Sequence, residues 1–398
     1  MYAEGMGSSV AGLEQLVTGG FAPLLGELQK TRSLQKMLRR SAVREALREI
    51  DAALDQVEHV RTLVPSPGRA AFYRVAAWNL SRGTAFDGLL RHLQTDPVLS
   101  RADVLLLTEL DRGMARSGNR DVPRELGREL GMSVAFSPCY LNLTKGNGAE
   151  RTSAGENALG LHGNAILSRY PLSELRVHAL PNGRDKLSSP ERRIGRQRAL
   201  TAKVALPGLP FAVTCVHLDA HSSRAHRCRQ MQQVLAETEA VTGRHLIGGD
   251  WNTTTFDVQS GAAAVAGFLS RLPLGLERTL RRDPLSPERG RERPLFEALR
   301  GAGFEWESCN VAEAPTWHFD FGDGDGAARD WLPGWAIRVV ERALRPSGGR
   351  CAAKLDWLAA RGLACRAPRV VAGLRHAGAR VSDHDPIAVD LIPGDPLG

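Results

Sequence analysis

The chain has few cysteines, no CxxC pair, no long apolar run and no internal repeat. Its six cysteines, at positions 139, 215, 228, 309, 351 and 365, are scattered along 398 residues. That spacing argues against a zinc knuckle or a CxxC redox motif and predicts free thiols. No segment reaches the roughly 18 consecutive apolar residues of a membrane-spanning helix. The first residues, MYAEGMGSSVAGLEQLVTGG, lack the basic start and apolar core of a secretory signal, so a cytoplasmic protein is expected. Extremes of composition are also missing. Hydrophobic residues make up 42% and charged residues 24%, values of an ordinary soluble globular protein, which exclude wholesale disorder.

What the chain does have is length and positive charge. Its 398 residues suffice for one large α/β domain with an appendage. The formal net charge of +8 suits a polyanionic partner such as nucleic acid or an anionic lipid surface, although a general arginine bias accounts for it equally well. From Leu24 to Val60, apolar residues recur at Val43, Leu47, Ile50, Leu54 and Val57, in alternating steps of four and three. This spacing predicts one or two amphipathic helices whose stripe packs on the main domain or on a copy of itself, with a membrane-surface helix as the alternative. Pro65, Pro67 and Gly68 then mark a linker. Residues 1–69 thus read as a helical extension and 70–398 as the main domain, with an insertion at about 258–350.

In the main domain the texture changes to short apolar runs bounded by turn residues: 71–80, 103–110, 164–168, 199–206, 211–218, 245–252, 354–362 and 386–392. Helical segments are expected at 86–93, 123–130 and 224–241. Many strands with a few helices between them point to a layered α/β sandwich.

Several of the strands end on ionisable or amide side chains. In GGDWN (248–252) the period-two alternation of a strand puts Asp250 and Asn252 on one side, as a pair able to orient a water or help hold a hard cation. Taken alone the motif is equally a β-turn. SDHDP (382–386) offers Asp383 as a carboxylate and His384 as an imidazole for proton transfer, and KLDW (354–357) offers Asp356 to fix a histidine tautomer. Asn79 ends AAWNL. Glu109 in LLLTEL follows an apolar strand, where a charge is costly unless a cation or a donor meets it. VTCVHLDAHSS (213–223) supplies His217 and Asp219 by alternation, with His221 and His226 beyond.

The ordered series AWN, LLLTEL, GNAILSRYPL, VHLD, GGDWN, KLDW and SDHDP, over residues 78–386, resembles the DNase I-like endonuclease/exonuclease/phosphatase superfamily. That superfamily includes nucleases, apurinic-site endonucleases, deadenylases, inositol polyphosphate phosphatases and bacterial sphingomyelinases. The resemblance implies a four-layer αββα sandwich of two mixed β-sheets flanked by helices, here with an N-terminal helical extension. It also implies a divalent-metal-dependent phosphoester hydrolase using Mg²⁺, with Mn²⁺ as a substitute. Position by position, Glu109 corresponds to the principal metal ligand, with Asn79 beside it and Asp383 as an acidic neighbour. Asp250 and Asn252 correspond to the pair that positions or deprotonates the attacking water. His384 corresponds to the general acid/base with Asp356 as its partner, and His217 to the histidine that donates to the scissile phosphate in the nuclease and sphingomyelinase branches. In GNAILSRYPL, Asn164 is expected to reach the site and Arg169 to contact phosphate, the alternative being a plain strand with a solvent-facing arginine.

Substrate identity is set in this family by loops that surround a shared floor. A nuclease acting on nucleic acid is favoured by the positive balance and by RDKLSSPERRIGRQR (184–198), whose arginines suit a phosphate backbone. An inositol-phosphate or lipid head-group phosphoesterase is the alternative, and a non-catalytic binding module is a further one. Trp306, Trp317, Trp331 and Trp335 serve either packing or base stacking, and the DGDG cluster at 323–326 reads as a turn.

Overall fold

The computed structural model describes residues 2–3, 14–15, 18–19, 21–30, 34–189, 191–241, 243–257, 266–267, 270, 278–320, 338, 342, 345 and 349–394. The DGDG cluster, Trp331 and Trp335 lie outside these residues. In chain order the strands are β1 (Tyr2–Ala3), β2 (Glu58–Thr62), β3 (Tyr73–Arg82), β4 (Val104–Arg112), β5 (Ser133–Asn142), β6 (Leu161–Ser168), β7 (Leu172–Ala179), β8 (Arg193–Gly195), β9 (Arg198–Val204), β10 (Phe211–Cys215), β11 (His245–Asp250), β12 (Trp317–Asp320), β13 (Arg350–Ala353), β14 (Asp356–Arg361), β15 (Ala364–Val370), β16 (Arg375–His376), β17 (Ala379–Arg380) and β18 (Ile387–Ile392). The helices are α1 (Ala22–Lys30), α2 (Leu34–Leu38), α3 (Ser41–Ala53), α4 (Phe86–Thr95), α5 (Val122–Leu130), α6 (Arg224–Glu237) and α7 (Arg293–Gly301).

Two mixed sheets form the centre. One runs in the order β1-β2-β5-β6-β4-β3-β18-β15, with β8 added on β5; the other runs β14-β11-β10-β9-β7. Their alternation explains the layering. Val75, Ala77, Val104 and Leu106 point from the first sheet toward Leu200, Val213, Leu246 and Leu358 of the second, making the inner core. The intervening Ala76, Trp78, Leu105 and Leu107 point outward and pack under α4 and α5 through Phe86, Leu89, Leu93 and Leu126. On the other outer face, Ile247, Trp357 and Ala359 pack under α6 and α7 through Met231, Val234, Leu295, Phe296 and Leu299. The expected four-layer αββα sandwich is therefore the observed fold.

The N-terminal segment is more closely built into the sandwich than its helical stripe predicts. Val43, Ile50 and Leu54 are buried on Leu141, Leu143, Leu161 and Ile194. The helix stops at Ala53, and Glu58–Thr62, read from sequence as the end of the helical stretch, is instead strand β2, antiparallel to β5. Val57 leaves the helical stripe and packs against the inner core.

Topology brings the site together. β3 and β4 are parallel, as are β10 and β11, so the carboxyl ends of each pair lie at one rim of their sheet. β14 is antiparallel to β11 and β18 is antiparallel to β3, so the segments that lead into β14 and β18 begin where those pairs end. Asp356, Asp383 and His384 thereby arrive at the rim that carries Asn79, Glu109 and Asp250.

Candidate active site

The rim is shaped by two β-bulges. The register of β3 against β4 shifts between Asn79 and Arg82, and that of β4 against β6 shifts between Leu107 and Leu110. Ser81 (φ 45°), Arg82 (φ 69°), Glu109 (φ 55°) and Asn252 (φ 51°) all adopt the left-handed backbone region. For residues with a Cβ this is strained, and such strain gathers where a fold must re-aim side chains. The bulge at Glu109 breaks the alternation of an otherwise apolar strand and directs its carboxylate to the rim. The glycines of GGDWN have a steric cause. A Cβ on Gly249 (φ +131°) would lie 2.2 Å from the Val216 carbonyl oxygen, and one on Gly248 would lie 2.4 Å from a Leu358 methyl.

Asp250 joins the two sheets at the rim. Its Oδ2 accepts from Asn79 Nδ2 at 3.0 Å and its Oδ1 from the Asn252 backbone N–H at 2.9 Å. Burial first, then the nearby Asp356 carboxylate, push its carboxyl up to about 6, against the opposing pull of His384 and His217. His384 Nε2 is 3.8 Å from Asp250 Oδ2, and its Nδ1 is 2.7 Å from Asp356 Oδ2. Burial works against protonation of this imidazole, but Asp356, Asp250 and Asp383 outweigh it and raise its pKa well above the ordinary value. Asp356 is itself fixed, because Thr316 Oγ1 accepts from the Leu355 and Asp356 N–H groups at 3.0 Å each. In metal-free Asp356→Asn, proton NMR of the histidine ring C–H groups is therefore expected to show His384 titrating at lower pH than in the parent. An unchanged midpoint would count against the pairing.

His217 Nε2 sits 3.6 Å from Asp250 Oδ2 and 3.9 Å from Glu109 Oε1. Burial lowers its pKa against the pull of both carboxylates, which favours a neutral ring. Burial also works to raise the Glu109 carboxyl, but Arg82, His217, His162 and His384 outweigh it and hold it well below the ordinary carboxylate range. Among the described residues no donor makes a hydrogen bond to this carboxylate. Asp250, Asp356 and His384 additionally bring one ligand atom each within 4.8 Å of one another. An ionised, undonated Glu109 beside such a cluster fits a hard divalent cation, for which carboxylate and amide oxygens are the suitable ligands.

The other expected residues sort differently. Asn252 is at the site, with its Nδ2 donating to the Leu218 carbonyl at 3.0 Å. Asp383 is exposed at the rim, where its Oδ1 accepts from Ser81 Oγ and its Oδ2 from Trp317 Nε1 at 2.9 Å. Asn164 does not reach the site through any of its contacts: its Nδ2 donates to the Arg198 carbonyl at 2.9 Å, tying β6 to β9 across the sandwich. Arg169 is a clear correction. Its guanidinium donates to the Ala102 and Ser100 carbonyls at 3.0 and 3.1 Å, beside the start of β4. Glu109 lies at the other end of that strand, about 20 Å away at a strand's rise per residue. Asp219 orders its loop by accepting from Lys186 Nζ at 2.8 Å and the Gly183 N–H at 3.0 Å.

Sequence reasoning missed a buried ionic network behind Glu109. Arg116 donates to Asp111 at 2.7 and 2.9 Å and to Glu191 at 2.7 Å, and His162 Nδ1 lies 2.8 Å from Asp111 Oδ1. Arg82 pairs with Glu150 at 2.8 Å. The available signal was the second carboxylate, Asp111, two residues after Glu109 in TELDR. Its partners lie too far along the chain for spacing to show.

The model of the family described as "Endonuclease/Exonuclease/phosphatase family" matches residues 76–384. No curated protein matches the chain. Among solved structures, an endonuclease/exonuclease/phosphatase from Beutenbergia cavernae is similar, with 17% identity and TM-score 0.49 over 83% of this chain and 74% of that one. A 3′-5′ exonuclease from Neisseria meningitidis has 17% identity and TM-score 0.43 over 80% and 99%. An AP endonuclease from Archaeoglobus fulgidus has 12% identity and TM-score 0.45 over 80% and 98%.

Proposed function

The chain belongs to the endonuclease/exonuclease/phosphatase family, a membership that supports a phosphoester hydrolase, and on that premise we propose a divalent-metal-dependent phosphodiesterase acting on nucleic acid. The observation that carries this reading is the convergence, at one rim, of an undonated carboxylate (Glu109), a carboxylate with a raised pKa (Asp250) and two imidazoles whose surroundings shift them in opposite directions (His217 and His384). Phosphodiester hydrolysis needs a base for water, donors for the phosphoryl oxygens and positive charge to offset the added charge of the transition state.

In this mechanism Glu109 would hold Mg²⁺ or Mn²⁺, with Asn79 and Asp383 as its neighbours. When bound, the cation supplies Lewis-acid stabilisation of the phosphoryl oxygens. Asp250, steadied on one oxygen by Asn79 and on the other by the Asn252 N–H, takes a proton from the attacking water. A pKa near 6 makes it ionised yet basic at neutral pH. His384, held on Nδ1 by Asp356, presents its protonated Nε2 to a phosphoryl oxygen. His217, whose pKa burial lowers, offers a second donor, and its correspondence to the histidine of the nuclease and sphingomyelinase branches favours a diester over a monoester reading.

Nucleic acid as the substrate is supported by the net charge of +8. The arginine-rich segment at 184–198 lends it little. Arg196 and Arg198 pair with Asp51 of α3 at 2.5 and 2.9 Å, and Arg192 donates to the Leu28 carbonyl of α1 at 2.8 Å, so these cations dock the N-terminal helices. The deciding experiment offers plasmid DNA, abasic-site duplex, RNA, inositol phosphates, sphingomyelin and bis-nitrophenyl phosphate to the purified protein with Mg²⁺ or Mn²⁺. Cleavage of nucleic acid and of the generic diester is expected, lost with EDTA and restored by excess Mg²⁺. Turnover of soluble monoesters alone would overturn the diester reading, and turnover of sphingomyelin alone would overturn the nucleic-acid one.

A further inference from the structure

The first sheet ends at β15 and the second at β14, and the two edge strands are joined by the short turn at Gly362 and Leu363. The segment after α7 covers this corner. Glu305 forms a two-way backbone bridge with Ala360 at 2.9 and 2.8 Å, and Asn310 makes a second such bridge with Leu358 through its side-chain amide, at 2.7 and 3.1 Å. Between those anchors stands Cys309, 1% exposed, facing Cys365 on β15. One ligand atom each from Glu305, Cys309 and Cys365 lie within 4.8 Å of one another.

We propose that Cys309, Cys365 and Glu305 form a second metal site, structural in role, that takes a thiophilic divalent cation of the zinc class and clamps the edges of the two sheets together. The donor set is distinct from that of the phosphoesterase rim, which has oxygen and nitrogen donors only. Two thiolates and a carboxylate are borderline-soft ligands that suit zinc rather than magnesium. The spacing fits as well. Cys309 Sγ is 3.7 Å from Glu305 Oε1. Two such ligands on a tetrahedral zinc would be about 3.6 Å apart from the usual Zn–S and Zn–O lengths. Glu305 is already oriented, because Ser308 Oγ donates to its Oε1 and the Ser308 N–H to its Oε2 at 3.1 Å. Such support around a ligand is what fixes a metal carboxylate. Among the described residues no cation pairs with Glu305, so the charge of this cluster has no protein counter-ion. Glu305 and Cys365 are only half-buried, which leaves the cluster open to solvent for metal entry.

Binding converts two thiols to thiolates: two S–H bonds break, two metal–sulfur bonds form and two protons leave to solvent. No electrons are transferred. Because each ligating sulfur must lose its proton before it binds, loading is expected to depend steeply on pH. Affinity should rise toward a hundredfold per pH unit, two protons being released per metal.

The test is a Co²⁺ titration of the reduced, metal-free full chain. We expect a sulfur-to-cobalt charge-transfer band saturating at one equivalent, reversed by Zn²⁺, retained in Glu109→Gln and lost in Cys365→Ser. Zinc is also expected to raise the melting temperature of the parent and to shield Cys309 and Cys365 from alkylation, a readout that stands if the serine variant fails to fold. Absence of any thiolate–cobalt band, or its persistence in a folded Cys365→Ser, overturns the site. So does a reduced protein that takes up no cobalt yet closes a Cys309–Cys365 disulfide with oxidised glutathione, which would make the pair a redox staple. Each readout is independent of phosphoester turnover.

Discussion

Asp250→Asn is expected to lower phosphoester turnover by about 10²- to 10⁴-fold, the usual worth of a positioned general base. The substitution keeps size and polarity, so a change of that size reports lost proton transfer. Stability measurements separate this from unfolding. Asp250 is a buried carboxyl raised to about 6, and a raised carboxyl destabilises the fold as pH climbs past its ordinary value, because the folded state resists losing the proton. Above pH 6 the metal-free asparagine variant should therefore melt at or above the parent, while being far less active. Glu109→Gln and His384→Ala are expected to lose at least about 10²-fold, since each removes charge stabilisation available at the rim. In the parent the rate should fall with acid as Asp250 takes up a proton, at or below about pH 6 because a bound cation favours the ionised form. Near-normal turnover in well-folded Asp250→Asn, assayed with the substrate cleaved in the panel, would remove Asp250 from the mechanism.

Much of this site is legible in the sequence, and the reason is physical. Glu109, Asp250 and Asp356 stand on or at the ends of apolar strands, where an unpaired charge has few bland explanations. Their order along the chain adds the rest through family resemblance. The backbone that aims them is not legible. Ser81, Arg82, Glu109 and Asn252 sit at positive φ without being glycine, and nothing in their identity announces it. Strand β2 follows directly on an amphipathic helix, and only its pairing with β5 makes Glu58–Thr62 extended. Pairing is a tertiary fact that local propensity does not carry. The same holds for charge. Arg196 and Arg198 look like a phosphate-tracking run in sequence, but Asp51 and Asp55, more than a hundred positions earlier, claim them. Cys309 and Cys365 are likewise silent in sequence, because a corner between two sheets brings them together and no short spacing does.

The ionic network behind Glu109 leads to the largest stability effect we expect. Arg116 is wedged between Asp111, whose side chain is 0% exposed, and Glu191, whose side chain is 3% exposed. Burial pushes both carboxyls up, but Arg116 acting on Asp111, and Arg193 with Arg116 acting on Glu191, hold them below the ordinary range. Arg116→Met preserves much of the volume but leaves buried Asp111 without its principal partner and Glu191 without its closer ion-pair partner, and breaking a buried pair in this way costs about 3–5 kcal/mol. The melting temperature at pH 7 should fall by about 5–10 °C, given the scaling of stability with temperature for large domains. The pH dependence has a definite sign. A depressed carboxyl contributes stability that is present above its ordinary pKa and disappears as pH falls through the depressed value. The parent therefore loses this contribution on acidification, whereas the variant no longer has it, and the gap between their melting temperatures should narrow steadily toward acid pH. Removing the stranded charge as well, in Arg116→Met/Asp111→Leu, should recover part of the loss, because an apolar pair of similar volume often matches a buried ion pair. A single variant that melts within about 1 °C of the parent at pH 7 would mean that water or Arg82 already neutralises Asp111 and Glu191, and that the network does not hold the end of β4 in place.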